Sequence, residues 1–230
     1  MNKQMIKISG VITTLVIIIL LSISTVGAQT TVDYPKFPDV PKSHWAYVPI
    51  GVMAKHGTIT GYPDGKFKPE KTVTRAEFAK MLIVCLKVPI FTPWFSSFKD
   101  VNKGDWAFSY IESAKIYMPG SKTSNGTFFY PDNGANREEV AYALVKAKGY
   151  QFEKVDTKNI SKIFTDANQI SPDMAKYVLI AYNKGIIKGY QDNTFKPQKV
   201  LTRAEATKLL SIVTYDSQSQ SGGDHCGECF

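Results

Sequence analysis

Three arginines stand at nearly constant intervals along the chain, each directly after a threonine or asparagine that can cap a helix. They are Arg75, Arg137 and Arg203. A cation in the first turn of a helix opposes the positive end of the helix dipole, which favours acids. Because this placement occurs three times, something must offset its cost. A guanidinium beside the free amides of a helix N-terminus suits a carboxylate or a phosphate, so we predict anion-binding sites here.

An internal ion pair would explain the same arginines without a ligand. The candidate partners are a neighbouring glutamate or the aspartates Asp39, Asp100 and Asp166, which recur with the same period. Ion-pair networks of this kind often resemble functional sites. The two interpretations are compatible, since an aspartate that orients an arginine would also prepare it for a ligand.

A helix must position each arginine, and the sequence predicts one at each place. The motifs Thr74-x-x-Glu77, Asn136-x-x-Glu139 and Thr202-x-x-Glu205 are capping boxes. Apolar residues follow each box at helical spacing: Phe78, Met81, Leu82 and Cys85, then Val140, Ala143, Leu144 and Ala147, then Ala206, Leu209, Leu210 and Val213. The spacing predicts one buried face per helix.

These helices belong to a threefold internal repeat. Phe-x-Asp pairs begin at Phe37, Phe98 and Phe164, and the arginine follows 38, 39 and 39 residues later. Trp45-Ala46, Trp106-Ala107 and Met174-Ala175 follow the Phe-x-Asp pairs. Each repeat is predicted as a helix, a turn-rich loop and a second helix, and three such units can bury a common core that one cannot.

The first helices and the loops are less regular. Apolar spacing from Trp45 through Val48 and Val52 predicts a helix there, although Pro49 and Gly51 make it short, kinked or later in its start. Residues 173–184 give a cleaner helix. Pro63-Asp64-Gly65 and Asp192-Asn193 predict turns, each followed by a short strand or an extended piece around Phe67 or Phe195. The middle loop differs because Met118-Pro119-Gly120 interrupts it. The aromatic connector 87–97 is expected to pack against the core.

Together the Phe-x-Asp openings, Trp-Ala, Gly-Tyr-x-Asp and Thr-Arg-Ala-Glu resemble the S-layer homology family over about residues 35–215. The resemblance implies a mainly α fold, in which three helix–loop–helix repeats (35–90, 96–150 and 162–215) form a pseudo-threefold bundle with protruding prongs and minor short strands in loops. It also implies binding of acidic, commonly pyruvylated, secondary cell-wall polysaccharide in grooves between adjacent repeats.

The resemblance assigns ligand-binding roles to three sets of residues. Arg75, Arg137 and Arg203 would bind the ketal carboxylate. Asp39, Asp100 and Asp166 would fix loop geometry or bond to sugar hydroxyls. Trp45 and Trp106 would offer a flat face to a sugar ring, with core packing as the alternative. Met174 replaces the aromatic residue in the third repeat, and the second repeat has an altered loop, so one or two of the three grooves are expected to be competent.

The two ends of the chain have their own signatures. Lys3 and Lys7, an apolar stretch and Val26-Gly27-Ala28 predict a cleaved secretory signal at 1–28, with an uncleaved anchor as the alternative. Cleavage would remove two lysines and no acid, which lowers the formal net charge from +8 to +6. Residues 216–230 are predicted to be a flexible tail with a Cys-x-x-Cys pair whose role stays open, whereas Cys85 is expected to be a buried apolar residue.

The net charge, the predicted secretory signal and the motifs narrow the classes of function. An exported basic chain favours an anionic wall polymer over nucleic acid, and the membrane is expected to be contacted only through an uncleaved signal. No nucleophile–base set, metal-ligand set or cofactor motif stands out, so we expect no enzyme, metal or cofactor. The sequence predicts a secreted, wall-associated surface protein. The alternatives to the wall polysaccharide as partner are peptidoglycan and other surface-layer proteins. The alternative role is that of a protein–protein adaptor at the cell surface.

Overall fold

The computed structural model describes residues 34 and 36–215, and this part of the chain is mainly helical. The α-helices are α1 Tyr47–Lys55, α2 Arg75–Cys85, α3 Phe108–Ala114, α4 Arg137–Ala147, α5 Pro172–Asn183 and α6 Arg203–Tyr215. Short 3₁₀ segments span Tyr150–Phe152, Thr157–Lys162 and Ala167–Gln169, and one antiparallel pair joins β1 Ser121–Thr123 to β2 Gly126–Phe128. The predicted signal 1–28 and the tail 216–230 lie outside the described residues.

The capping boxes are present at α2, α4 and α6, as predicted. In each, the cap side chain accepts from the glutamate amide and the glutamate carboxylate accepts from the cap amide. The predicted apolar residues of these helices are buried, apart from the partly buried Ala147. Local hydrogen bonds therefore set where each helix begins, and burial sets which face turns inward.

The long helices pack in a pattern that closes on itself. Helix α2 packs on α3, α4 packs on α5, and α6 packs on α1, the first helix of the chain's described part. Backbone hydrogen bonds repeat the pattern just before the long helices. The amide of Ala135 donates to Val73 O at 2.9 Å, Leu201 donates to Ala135 O at 3.0 Å, and Val73 donates to Leu201 O at 3.0 Å. Residues far apart in sequence thus hold one another through their backbones.

The first helix is short and begins at Tyr47, later than the apolar pattern, which is one of the predicted alternatives. Pro49 lies in its first turn, where no amide is needed, and Ile50 and Met53 are buried, whereas Trp45 and Val48 are exposed. Of the two alternatives predicted at Phe67 and Phe195, the short strand does not form, and the strand pair of the described residues lies in the middle loop.

The connector 87–97 also departs from its prediction, because Trp94 and Phe95 are exposed instead of packed. Cys85 is buried, as predicted, and burial raises the pKa of its thiol to about 12. It contributes as a small apolar side chain. Among residues 34 and 36–215, no helix combines the length and the apolar character needed to cross a bilayer.

Candidate functional site

Each motif arginine reaches from the start of its helix into the loop of the following segment. Arg75 Nε donates to Phe129 O at 2.7 Å and its Nη2 to Pro119 O at 3.2 Å. Arg137 makes the same two bonds to the last loop, with Nε at 2.8 Å from Phe195 O and Nη2 at 2.7 Å from Lys188 O.

Arg203 closes the series by turning back to the first loop. Its Nη2 donates to Thr60 O at 2.6 Å, but its buried Nε has no hydrogen-bond partner among the described residues. Arg75 and Arg137 are both almost fully buried, and Arg203 is only half-buried. The three arginines therefore have the same placement, but Arg203 keeps a donor unused.

Aromatic rings flank the guanidinium groups. Arg75 lies 4.7 Å from the ring centre of Phe129, and Arg203 lies 4.7 Å from Phe67 and 4.9 Å from Tyr62. Arg137 is likewise 4.9 Å from Phe195 and 4.8 Å from Tyr190. Burial lowers the pKa of all three arginines below the ordinary value of 12.5. Arginine stays protonated in proteins, so each site contains a fixed positive charge.

The three motif aspartates hold the loops on which the arginines act. Asp39 accepts the amides of Phe67 and Lys68 at 2.9 and 2.7 Å. Asp100 accepts from Phe129 and Tyr130, and Asp166 from Phe195 and Lys196, in the same manner. The second amide of each pair belongs to a residue with φ of 55–59°, a left-handed conformation that these bonds help to hold. Of the two roles suggested for the aspartates, the contacts favour fixing loop geometry.

Two of the sites carry further lysines. Lys71 Nζ lies 2.6 Å from Glu77 and 3.1 Å from the hydroxyl of Tyr62, while Lys68 lies 4.5 Å from the same ring. Around Arg137, Lys199 lies 2.5 Å from Glu205 and 3.1 Å from the Tyr190 hydroxyl, and Lys196 lies 4.4 Å from that ring. In both sites the glutamate of the capping box is neutralised by a lysine, so the arginine charge is left over.

The electrostatics around Arg203 follow from these contacts. Burial alone would raise the pKa of Glu77, but the hydrogen bonds from Lys71 and the Thr74 amide outweigh it and lower that pKa. Hydrogen bonds to Glu77 and Tyr62 raise the pKa of Lys71 in turn. Glu77 is therefore ionised and Lys71 is charged at neutral pH, and the pair cancels beside a guanidinium that keeps its charge.

The site of Arg75 is closed instead. Exposed Asn133 occupies the place that Lys71 and Lys199 hold in the other two loops, six residues before the glutamate. Glu139 forms an ion pair with Arg75 Nη1 and has no lysine partner in the part of the chain that the structure describes. The remaining space is about 20 Å³, roughly enough for one water, and is lined by Arg75, Met118, Pro119, Glu139, Tyr142 and Met174.

The two tryptophans that were predicted to contact a sugar ring, Trp45 and Trp106, are on the surface. Trp45 is 52% and Trp106 is 61% exposed, which rules out core packing as their role. Trp106 lies 5.8 Å from the ammonium of Lys80, which follows Glu77 by one turn on the same face of α2. This helix face connects Trp106 to the site of Arg203. Trp45 stacks on His44 at 5.6 Å.

A cleft of about 420 Å³ opens beside Tyr190 in the last segment. Its lining includes Phe164, Tyr182, Lys188 and Gly189. Lys188 is also the residue whose carbonyl binds Arg137, so the cleft and the arginine share one loop. An aromatic wall with a lysine at its edge is suited to the flat face of a polar, negatively charged ligand.

Sequence reasoning missed the lysines and tyrosines of these two sites. Tyr62 and Lys71 are nine residues apart, as are Tyr190 and Lys199, and the middle loop has neither residue at those places. That shared spacing was the available signal. Within the described part of the chain, no group of three or more His, Cys, Asp or Glu is placed to hold a metal ion.

Comparison with known proteins gives two kinds of match. The S-layer homology domain model matches residues 36–79 and 163–207. Over 179 residues, 76% of this chain, the sequence is 34% identical to the exoglucanase XynX of Acetivibrio thermocellus, and 16% of that protein is covered.

Two further relatives are named for surface structures. The S-layer protein sap of Bacillus anthracis is 32% identical over 76% of this chain, and the Cellulosome-anchoring protein of Acetivibrio thermocellus is 33% identical over 75%. The match covers 21% and 37% of those two proteins. This chain thus corresponds to a minor part of each relative.

Proposed function

We propose that this chain, which carries S-layer homology domains at residues 36–79 and 163–207, attaches to the cell wall by binding an acidic secondary wall polysaccharide. The ligand chemistry is a carboxylate on a sugar ring, such as a pyruvate ketal. The sites are the grooves around Arg137 and Arg203. The protein acts as a non-enzymatic module of the cell surface, exported by means of residues 1–28.

The relatives support attachment as the shared role. An exoglucanase, an S-layer protein and a cellulosome-anchoring protein have different names, yet each aligns with about three quarters of this chain. A segment common to such different proteins is better suited to a shared location than to a shared reaction.

The middle segment, 96–150, completes the proposed assembly as a third S-layer homology repeat. Its Asp100 and its capping box make the contacts that the corresponding residues make in the two matched segments. Arg137 Nη2 donates to a loop carbonyl, as Nη2 of Arg75 and of Arg203 does. The closed series of helix and backbone contacts supports a pseudo-threefold bundle of three repeats with a groove at each junction.

The observation that carries the proposal is the positive charge left over at two of the three junctions. Around Arg203, Lys71 offsets Glu77 and Lys68 lies 2.9 Å from Asp64, so the guanidinium is not neutralised. Its Nε is a buried donor that has no acceptor among residues 34 and 36–215, which is a costly condition unless a ligand supplies one. A ligand carboxylate would satisfy the donor and the charge together.

The remaining residues have supporting roles in this proposal. Tyr62 and Tyr190 present ring faces beside the arginines, and Trp106 extends the surface of the Arg203 groove through Lys80. Trp45 presents a similar exposed face on the first segment. Asp39 and Asp166 hold the loops in position, and Asp100 does the same for the junction that Glu139 closes.

The test is co-sedimentation of the purified protein with wall sacculi, intact and after acid extraction of the secondary polymer. We expect binding to intact sacculi and its loss on extraction. Arg203→Ala and Arg137→Ala should each weaken binding by about tenfold to a hundredfold, because each removes a charge-assisted bond to the carboxylate. Lys122→Ala, on the exposed strand β1, is the matched control for charge and should bind like the wild type.

Unchanged binding after extraction would identify peptidoglycan as the receptor and contradict the proposal. Absence of binding to either preparation would favour a protein partner. Salt screens a buried arginine–carboxylate contact less than it screens attraction between surface charges, so moderate salt should weaken binding only in part. Complete loss in moderate salt would reduce the interaction to non-specific charge attraction.

A further inference from the structure

The connector between the first and middle segments displays large apolar side chains to solvent. Residues 88–98 contain no charged side chain. Within them Phe91 is 53% exposed, and Trp94 and Phe95 are 83% and 87% exposed. Two adjacent aromatic rings at this exposure are unusual for a surface without a partner, because water strongly disfavours such an area.

The connector is held in this arrangement by polar contacts at both ends. The Phe91 amide donates to Ser113 Oγ at 2.8 Å, and the hydroxyls of Thr92 and Ser109 lie 2.8 Å apart. At the other end, the buried carboxylate of Glu112 accepts the amide and the hydroxyl of Ser97 at 2.6 and 2.8 Å.

All three helix residues in these contacts lie on α3, so the backbone on either side of Trp94 and Phe95 is tied to one helix. The fold therefore fixes an exposed aromatic tip whose side chains are kept from collapsing onto the core. A rigid tip also loses little conformational entropy when it binds.

Lysines accompany the aromatic rings. Lys103 Nζ lies 4.7 Å from the Trp94 ring centre, and Lys115 Nζ lies 5.5 Å from that of Phe91. Nearby acids are already engaged: Glu112 is enclosed by its serine and lysine contacts, and Asp105 accepts the amide of Asn102 at 2.7 Å. The tip thus combines apolar side chains with two lysines, of which Lys115 also pairs with Glu112 at 3.1 Å.

We propose that this aromatic tip, residues 90–95 with Lys103 and Lys115, docks on an anionic lipid surface. Tryptophan and phenylalanine favour the boundary between headgroups and acyl chains, and lysines near that boundary are attracted to anionic headgroups. The two features occur here on one rigid connector. This contact goes beyond glycan attachment, and it departs from the expectation that only residues 1–28 meet the membrane.

The test compares the exported full chain with its variants by sedimentation with vesicles of phosphatidylglycerol and phosphatidylcholine. We expect binding to the mixed vesicles and much weaker binding to pure phosphatidylcholine. The double variant Trp94→Ala/Phe95→Ala should lower the partition coefficient by at least about tenfold, since it removes the inserting side chains. Phe152→Ala, which removes an aromatic ring that is 82% exposed elsewhere, is the matched control and should bind normally.

A fluorescence measurement reports insertion directly. The chain has three tryptophans, so Trp45→Phe/Trp106→Phe leaves Trp94 as the single emitter. Its emission should shift to shorter wavelength on vesicles and be quenched by brominated lipid. Equal partition of the double variant and the wild type, or an unshifted Trp94, would overturn the proposal.

The same variants separate this contact from wall attachment. Trp94→Ala/Phe95→Ala should keep its binding to intact sacculi, because the contacts of Arg137 and Arg203 within the described part of the chain involve neither residue. If sacculus binding falls while vesicle binding is absent in the wild type, the tip recognises a wall component and the lipid proposal is wrong. Circular dichroism melting of each variant verifies that the fold is retained.

Discussion

The junction at Arg75 and the junction at Arg203 are built from the same motif but are chemically different. Both arginines begin a helix, reach the next loop and lie 4.7 Å from a phenylalanine ring. At Arg75 the capping glutamate of the next helix, Glu139, pairs with the guanidinium. At Arg203 the equivalent Glu77 is held by Lys71. One neighbouring residue, lysine or asparagine, therefore decides whether the arginine charge is neutralised.

The loops reinforce the difference. A Cβ added at Gly61 or at Gly120 would lie within 2.8 Å of Cε1 of the phenylalanine in the same repeat's Phe-x-Asp pair. The two glycines therefore occupy equivalent positions in their loops. From there to the central phenylalanine is six residues in the first loop and nine in the middle loop. The longer middle loop contains the β1–β2 hairpin, and it has no tyrosine at the position of Tyr62. A repeated motif thus does not guarantee a repeated site.

The largest expected effect separates structural from ligand-binding arginines. Arg75→Ala removes the partner of Glu139 and the donors to Phe129 O and Pro119 O, leaving buried polar groups unpaired. We expect a loss of about 3 kcal/mol in the free energy of unfolding. For a chain of this size the melting temperature should fall by about 6–12 °C, measured by calorimetry.

Arg203→Ala is the matched comparison for Arg75→Ala. It should destabilise much less, because its side chain is half-buried and already has an unpaired Nε, while it weakens sacculus binding far more. Equal destabilisation by the two substitutions would erase the distinction between the junctions.

The next effect tests what the junctions share. Asp100→Asn and Asp166→Asn each remove a carboxylate that accepts two backbone amides at 2.6–2.8 Å. Each should cost about 1–3 kcal/mol of stability, since an amide side chain turns a donor toward at least one of those amides. Denaturant unfolding measures both. If only Asp166→Asn lowers the free energy of unfolding, the loops themselves differ in stability. The difference between the junctions would then not arise from the Arg–Glu–Lys arrangement alone.

The sequence predicted the long helices well, because capping boxes and apolar spacing are local signals. Thr74 and Glu77 fix where α2 begins, and Phe78 and Leu82 turn inward as their spacing indicates. The exposed connector was missed because apolar composition alone does not reveal whether a side chain packs. The hydrogen bonds of Ser97 and Glu112 that hold it are between distant residues.

The candidate site was predicted only in outline. The repeated arginines could be found from their spacing, but their acceptors, such as Thr60 O for Arg203, are backbone atoms of a remote loop. No side-chain pattern announces them. A comparison of Lys71 and Lys199 with Asn133 would have distinguished the two open junctions from the closed one. That comparison requires the three loops to be aligned in register.

A gain of function would sharpen the contrast further. Asn133→Lys places an ammonium where Lys71 and Lys199 stand in the other loops, and it should draw Glu139 away from Arg75. In the background Arg137→Ala/Arg203→Ala, which should bind sacculi poorly, this substitution should recover part of the binding, by about twofold to tenfold. Asn133→Gln is the neutral control. Recovery by both variants would show that charge at this position is not the cause.

The smallest effect concerns the pH dependence of the two glutamates. Burial raises the pKa of Glu139 above its ordinary 4.5, although the charge of Arg75 and the Asn136 amide oppose the rise. For Glu77, burial is outweighed by bonds from Lys71 and the Thr74 amide, and the pKa lies below 4.5.

The signs of the two contributions are therefore opposite. The protonated form of Glu139 is favoured in the folded state, and the stability linked to it is present below pH 4.5 and lost as pH rises through the raised pKa. The ionised form of Glu77 stabilises the fold above pH 4.5, and that stability is lost as pH falls through the lowered pKa.

Melting curves of Glu139→Gln and Glu77→Gln against the wild type between neutral pH and about pH 3 measure this difference. A glutamine substitution should cease to matter once its glutamate is protonated. The difference between Glu139→Gln and the wild type should therefore begin to change as the pH falls through the raised pKa of Glu139, above 4.5, whereas that of Glu77→Gln should persist until the pH falls through the lowered pKa of Glu77, below 4.5. If both differences vanish at the same pH, the lysine does not set the two junctions apart, and the charge left over at Arg203 needs another explanation.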